Sequence, residues 1–386
     1  MADADSNSSR AMTNRSVKPR LLYLDNLKAF LAVLVVMHHA GQPYGPGGSW
    51  WIPPEPIQLI SLLILGLFFS VNSSFFMGLF FMISAYFVPR SYDRKGAITF
   101  LKERLIRLGV PMVIFSLGVF PTMIYLLYWM GQTSFLDFYR NTYLNIGGPG
   151  SLTLSYLWFL ELLLVFSALY VILRVVTNGH SGFRETKFPS SRTIVVFTVI
   201  LALSMFVVRI WFPINQWILL SVEPAHLPEY GAFFAIGILA SRNEWLNGLP
   251  ASVAKMWSRI TGVAVPMLLV IFLLFGLSML DGGLTVASLA YAVWESVVCV
   301  GMSISLVALF RVRFNFQGKV AKILADNSFT VYLIHVPIIV FLQYLLIDVN
   351  VHPLAKFAAV SLVGVPACFL ISNYIIRKLP YVNRIL

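Results

Sequence analysis

Apolar residues run along this chain in long stretches, and the polar residues gather between them. A membrane-spanning helix needs roughly 20 apolar residues. Ten stretches meet or approach that length: 21–40, 72–88, 108–130, 153–174, 193–211, 229–241, 260–280, 284–310, 328–347 and 354–376. The sixth is short and must borrow from its flanks. The apolar stretch 57–70 reads as an interfacial or re-entrant piece ahead of the second helix, so the count is ten, with eleven as the alternative. The pattern predicts an all-α polytopic membrane protein with a single transmembrane domain over 21–386. The polar Ser/Asn/Arg-rich segment 1–20 has no apolar core and reads as a disordered tail, not a cleavable signal peptide.

Composition agrees. Of 386 residues, 58% are hydrophobic and 11% charged, where soluble domains have about 45–50% and about 25%. The net charge of +12 does not point to nucleic acid, because the basic residues form short clusters between apolar runs. Those clusters set the orientation instead. If the ten spans alternate, 25 of the 28 Lys and Arg fall on one side, leaving Arg140, Arg209 and Lys356 on the other. The excess of positive charge on cytoplasmic loops then predicts cytoplasmic termini. Cys299 and Cys368 lie inside apolar runs, which leaves no disulfide framework and no CxxC metal signature. No metal site is expected.

Against this apolar background, ionisable groups at membrane depth stand out as functional candidates. The first helix, within YLDNLKAFLAVLVVMHHAGQPYG (23–45), carries Asp25, Lys28, His38 and His39. Lys28 and His39 are eleven residues apart, close to three helical turns, so they share a face at roughly 16 Å separation. Asp25 can pair with Lys28 along the helix. Imidazole is the side chain best suited to take a proton near neutral pH. A second cluster, DRKGAITFLKERLIRLGVP (93–111), holds Lys102, Arg104 and Arg107, with the two guanidinium groups on one helix face. Such forks suit phosphate oxygens, although snorkelling basic residues at a helix end give the same pattern. Glu161 and Glu295 lie in apolar runs, either as functional groups or as halves of structural pairs. His335, in NSFTVYLIHVP, either packs against a neighbour or lines a cavity. In EPAHLPEY, Glu223 and His226 stand three apart, but Pro224 and Pro228 argue against a ligand-bearing helix. Trp50 and Trp51 either stack a sugar ring or, more commonly for such a pair, belong to the interfacial aromatic belt. The Gly-rich stretches at 41–56 and 145–151 lack the context of a phosphate loop.

The motifs YLDNLK…HHAGQPYG (23–45), SSFFMGLFFMISAYFVPRSYDRKGAITFLKERLIRLGVP (73–111), LWFLELLLVFS (157–167) and NSFTVYLIHVP (327–337) occur in order over nearly the whole chain. Together they resemble the membrane acyltransferase-3 family, most closely its glucan-modifying branch, which is similar to the periplasmic glucan succinyltransferase. That family's Arg/Lys, ten residues, then His motif corresponds to Lys28 and His39, and its Arg-x-x-Arg motif to Arg104 and Arg107. Two positions depart from the pattern. Lys28 replaces the commoner Arg, which keeps the charge and loses the bidentate fork. Ser84-Ala85-Tyr86-Phe87 replaces the usual Ser-Gly-Tyr/Phe-Phe.

The resemblance implies a multi-pass enzyme of the cell (inner) membrane. It would move an acetyl or succinyl group from cytoplasmic acyl-CoA to a carbohydrate hydroxyl at the extracytoplasmic side or on a lipid-linked precursor. His39 would act as general base, with Lys28 and Asp25 in the same motif. Arg104, Arg107 and Lys102 would hold the phosphates of CoA, a co-substrate and not a resident cofactor. Glu161, Glu295, His335 and Trp158 are candidates for contacting the acceptor. The alternative is a secondary transporter of a small solute, which also has many helices and intramembrane carboxylates. The chain lacks the repeated halves and the paired Gly/Pro breaks of that class.

Overall fold

A computed structural model describes residues 20–47, 50–145, 152–177, 186–218, 221–380 and 382. The expected tail over 1–19, His180 and most of the Gly-rich stretch 145–151 lie outside these. Among the described residues eight helices are long and apolar enough to cross a membrane: Leu59–Lys95, Ala97–Trp129, Ser155–Val176, Ser191–Arg209, Ala251–Leu280, Val286–Arg313, Lys319–Tyr344 and Pro353–Lys378. Two more helices pack among them, Leu22–Gly41 and the 17-residue Leu227–Asn243. The first is diluted by Asp25, Asn26, Lys28 and two His, and the second is short, as its sequence predicts. In chain order these ten long helices are labelled α1 (Leu22–Gly41) to α10 (Pro353–Lys378), with Leu227–Asn243 as α6. Among the described residues there is no sheet, only one isolated bridge between Ile218 and Val222.

The apolar stretch 57–70 is not a separate span. It forms the first part of α2, Leu59–Ser73, and the chain breaks at Phe75 before resuming as Phe76–Tyr86. The resumed part lies against α6, and the approach is close. A Cβ on Gly237 would sit 2.2 Å from the Met82 carbonyl oxygen, so only glycine fits there.

Helix α1 presents Leu24, Leu27, Leu31 and Val35, all essentially buried and at helical spacing, to the core. It packs chiefly along α9, with α10 and α8 beside it. Helix α3 contains three π-helical turns, Leu105–Gly109, Phe115–Val119 and Tyr125–Trp129. Pro111 and Pro121 follow the first two. A proline inside a helix clashes with the carbonyl four residues earlier and leaves it without its N–H donor. For Pro121 that carbonyl belongs to Leu117, and the Tyr139 hydroxyl donates to it at 3.0 Å.

The loops predicted to share a side do meet. At one end Asp25 pairs with Arg20 (2.5 Å) and Lys28 (2.8 Å), and Arg20 reaches Asp326 at the start of α9. Asp93 accepts from Arg174 and Arg242, and Arg311 donates to the carbonyls of Leu246, Asn247 and Leu249. At the other end Lys356 pairs with Glu55 (2.5 Å), and Trp50 donates to Gln343 (2.7 Å). The molecule therefore has a basic end and an end where the loop after α1 folds over the helices.

Candidate active site

A cavity of about 520 Å³ opens at the non-basic end. Its walls come from the last turns of α1 (His38, His39), the loop after it (Trp50, Trp51) and the break in α2 (Ser73, Phe76, Met77). The start of α4 adds Tyr156 and Trp158, and Tyr230, Tyr291, Tyr332 and His226 complete it. Four indoles contribute, Trp217 being the fourth. Trp158 stacks on Tyr230 (5.1 Å, 22°), and His226 also stacks on Tyr230 (5.9 Å, 24°). Trp50 and Trp51 thus serve as cavity walls, which corrects the expectation of an interfacial belt. Neither is free to sit among lipid headgroups: Trp50 is bonded to Gln343, and Trp51 packs on Phe120.

His39 is the most constrained polar group of the wall. Its ring stacks on the Trp50 indole at 5.0 Å and 18°. Its Nδ1 lies 2.9 Å from Nε2 of His335, a residue 296 positions away on α9. The carbonyls of His39 and Ala40, in the last turn of α1, accept from the Gln343 amide at 2.9 and 3.1 Å, the His39 carbonyl also accepting from the Gln42 N–H. His335 is fully buried, and its Nδ1 lies 2.7 Å from the Tyr332 carbonyl oxygen. Of the alternatives open for His335, packing and lining the cavity, the structure shows packing: the ring is buried between helices behind the cavity wall, where it touches His39.

Pro337 explains why α9 takes this form. It leaves the Leu333 carbonyl without its helical donor, and the Tyr156 hydroxyl supplies one at 2.5 Å. Tyr332 returns the favour through its hydroxyl to the Tyr156 carbonyl. The start of α4 is thereby locked onto α9 beside the histidine pair. His38 points elsewhere, into Phe69 and Phe76 (4.8 and 5.3 Å).

The other predicted residues are distributed unevenly. Trp158 lines the cavity. Lys28 and Asp25 do not: they form an ion pair at the basic end, with Lys28 over the Phe87 ring. Arg104 lies over Phe100, and Arg107 over Phe329 of α9, joining α3 to α9. Lys102 is exposed beside them. Glu161 stands one turn beyond Trp158 with one buried carboxylate oxygen that lacks a partner. Glu295 is the structural half of its two alternatives. It is fully buried, 2.5 Å from Arg209 and 3.3 Å from His226 Nδ1, and lies behind the cavity wall rather than in it.

Residues that the sequence reading passed over cluster here. Arg209, counted there only as an orientation marker, is 1% exposed. Glu229, also fully buried, faces Gly78, where a Cβ would meet its carboxylate at 2.4 Å. His226, Glu229 and Glu295 place ligand-type atoms within 4.8 Å of one another, so the three could hold a metal ion. Glu223, three residues before His226, makes a looser contact with it, at 3.8 Å. The Arg209 guanidinium already supplies positive charge to Glu295 and lies 3.4 Å from His226. No step of the reaction is therefore assigned to a metal. The signal available in the sequence was one arginine and two carboxylates at membrane depth, which must find each other or neutralise.

The profile of the acyltransferase-3 family, described as an acyltransferase domain, matches residues 21–373. Glucans biosynthesis protein C of Shigella dysenteriae serotype 1 is 26% identical over 343 residues, covering 83% of this chain and 83% of that protein. The protein of the same name from Escherichia coli K12 is 25% identical over 342 residues, again 83% of each. No solved structure gives a significant match. The match runs from the start of α1 into α10, places both His39 and His335 inside the matched region, and sets the transporter alternative aside. This multi-pass membrane protein belongs to the acyltransferase-3 family and is an acyltransferase.

Proposed function

We propose that the protein transfers an acyl group, acetyl or succinyl, from cytoplasmic acyl-CoA to a hydroxyl of a glucan or related carbohydrate on the other side of the cell membrane. The observation that carries this reading is His39 itself, a partly accessible imidazole in a cavity walled by tryptophan and tyrosine. Such walls offer flat apolar faces with polar edges. At about 520 Å³ the cavity lies within the range of small-ligand sites, roughly 300–1,000 Å³, and admits a few sugar rings, not a whole polymer. The names of the relatives, which concern glucan biosynthesis, support the acceptor class.

In the proposed reaction a sugar hydroxyl, too weak a nucleophile unaided, loses its proton to the His39 imidazole as its oxygen attacks the thioester carbonyl. The carbon–sulfur bond then breaks, and the proton passes from His39 to the departing CoA sulfur. Arg104, Arg107 and Lys102 would hold the CoA phosphates at the basic end, and the long pantetheine arm would bring the thioester towards His39.

Calorimetric titration of the purified protein with CoA, acetyl-CoA and succinyl-CoA tests the donor half. Saturable binding that weakens at least tenfold in the Arg104→Ala/Arg107→Ala double variant is expected. A folded, monodisperse sample that binds none of the three at millimolar concentration overturns the acyl-CoA assignment.

A further inference from the structure

We propose that His335 is a positioning residue that fixes the tautomer of His39, leaving the His39 Nε2 lone pair free for the acceptor hydroxyl. This rests on the reading of His39 as the base, and follows from three contacts in series. A carbonyl oxygen only accepts, so His335 Nδ1, 2.7 Å from the Tyr332 carbonyl, carries the proton and donates. In a neutral imidazole the second nitrogen is then bare. His335 Nε2 can therefore only accept, and its partner 2.9 Å away, His39 Nδ1, must be the donor. His39 has one proton in its neutral form and the contact with His335 places it on Nδ1, so Nε2 is the unprotonated nitrogen; the Val35 backbone, one turn earlier, is a second hydrogen-bonding partner of this ring.

The surroundings keep the ring in that pose. Trp50 stacks on the His39 face, and Gln343 grips the His39 carbonyl with its amide N–H while its oxygen accepts from the Trp50 indole. Both polar anchors, His335 and Gln343, sit on α9, eight residues apart and so on nearly the same face. The Tyr332 carbonyl that starts the series lies next to the Leu333 carbonyl that Pro337 releases to Tyr156, which holds that stretch of α9 in place. When His39 Nε2 takes the hydroxyl proton, the Nδ1–H bond to His335 becomes a bond from a cation, and such bonds are roughly twice as strong as neutral ones. The interaction therefore strengthens as the reaction proceeds, which is the condition for accelerating it.

The test uses the full-length protein in detergent, labelled with ¹⁵N-histidine. With six histidines in the chain, the His39→Gln variant assigns the His39 signals by their loss. The expected wild-type spectrum has His39 Nδ1 protonated and Nε2 bare. His335→Leu should scramble that tautomer and lower the acyl-transfer rate about 100-fold, the lower end of what a general base supplies, with acyl-CoA affinity unchanged. His335→Gln, whose side-chain oxygen can accept from His39, should recover at least tenfold of the loss. A wild-type spectrum with His39 Nε2 protonated overturns the proposal whatever His39 does in catalysis. So does His335→Leu at wild-type rate. The drawn tautomer together with undiminished transfer by His39→Gln would instead sink the base assignment and leave the tautomer standing.

Discussion

The two ends of α1 treat charge in opposite ways. At the basic end Asp25 is shared between Arg20 and Lys28, with the Arg20 side chain 55% and Lys28 32% exposed. Water screens these contacts, and such pairs contribute about 0–1 kcal/mol each. At the other end His335, Gln343, Arg209 and Glu295 are buried, and with the half-buried His39 they make comparable contacts away from bulk water. Burying polar groups is costly unless each finds a partner, and a lost partner leaves the full desolvation penalty. The basic end can therefore tolerate variation in its partners, whereas at the cavity end two groups, His39 with His335 and Gln343, and Arg209 with Glu295 and His226, each depend on every member keeping its partner.

Substitutions should expose this contrast. His39→Gln is expected to have the largest effect, a loss of transfer of about 10²–10⁴-fold, the range of general-base contributions, measured with a labelled acyl donor. The variant should still fold and bind acyl-CoA; near-normal turnover would end the base assignment. Next is Arg209→Met, which strands the Glu295 carboxylate. Removing one partner of a buried pair costs about 3–5 kcal/mol, so the thermal midpoint in detergent should fall sharply. Arg209→Met/Glu295→Leu should regain much of that. If the single variant melts with the wild type, Arg209 is not the partner that neutralises Glu295. The smallest effect is expected for Lys28→Met, a stability change within about 1 kcal/mol. Should this variant keep its midpoint and yet lose transfer, Lys28 would belong to donor handling, and the contrast between the two ends would be one of stability alone.

Much of the architecture was legible in the linear pattern. The ten apolar runs became ten packed helices, and alternating their ends grouped Arg20, Asp93, Arg242 and Arg311 at one end, as their spacing required. Length and local chemistry decide those features, so a sequence displays them. The stretch 57–70, read as a piece ahead of the second helix, left the count open because apolarity alone does not say whether a run is independent or the start of the next helix. Lys28 and His39 were legible as one face of α1. The partner of His39 was not, since 296 residues separate it from His335. Nor could the Arg209–Glu295 pairing be read, because two buried carboxylates, Glu229 and Glu295, were available to one arginine. Pro337 did carry a usable clue: a proline within an apolar helix frees a carbonyl, and a tyrosine hydroxyl, from Tyr156 here and from Tyr139 for Pro121, is a natural donor to it.

The stack of Trp50 on His39 has a consequence for how this protein can be watched. An indole emits light, and an imidazolium against its face quenches that emission more strongly than a neutral imidazole does. With the rings 5.0 Å apart and nearly parallel, Trp50 is a fluorophore lying against the one group proposed to gain and lose a proton in each cycle. Subtracting the emission of a Trp50→Phe protein removes the background of the other eight tryptophans. What remains is an optical record of the proton on His39, obtained without attaching any dye.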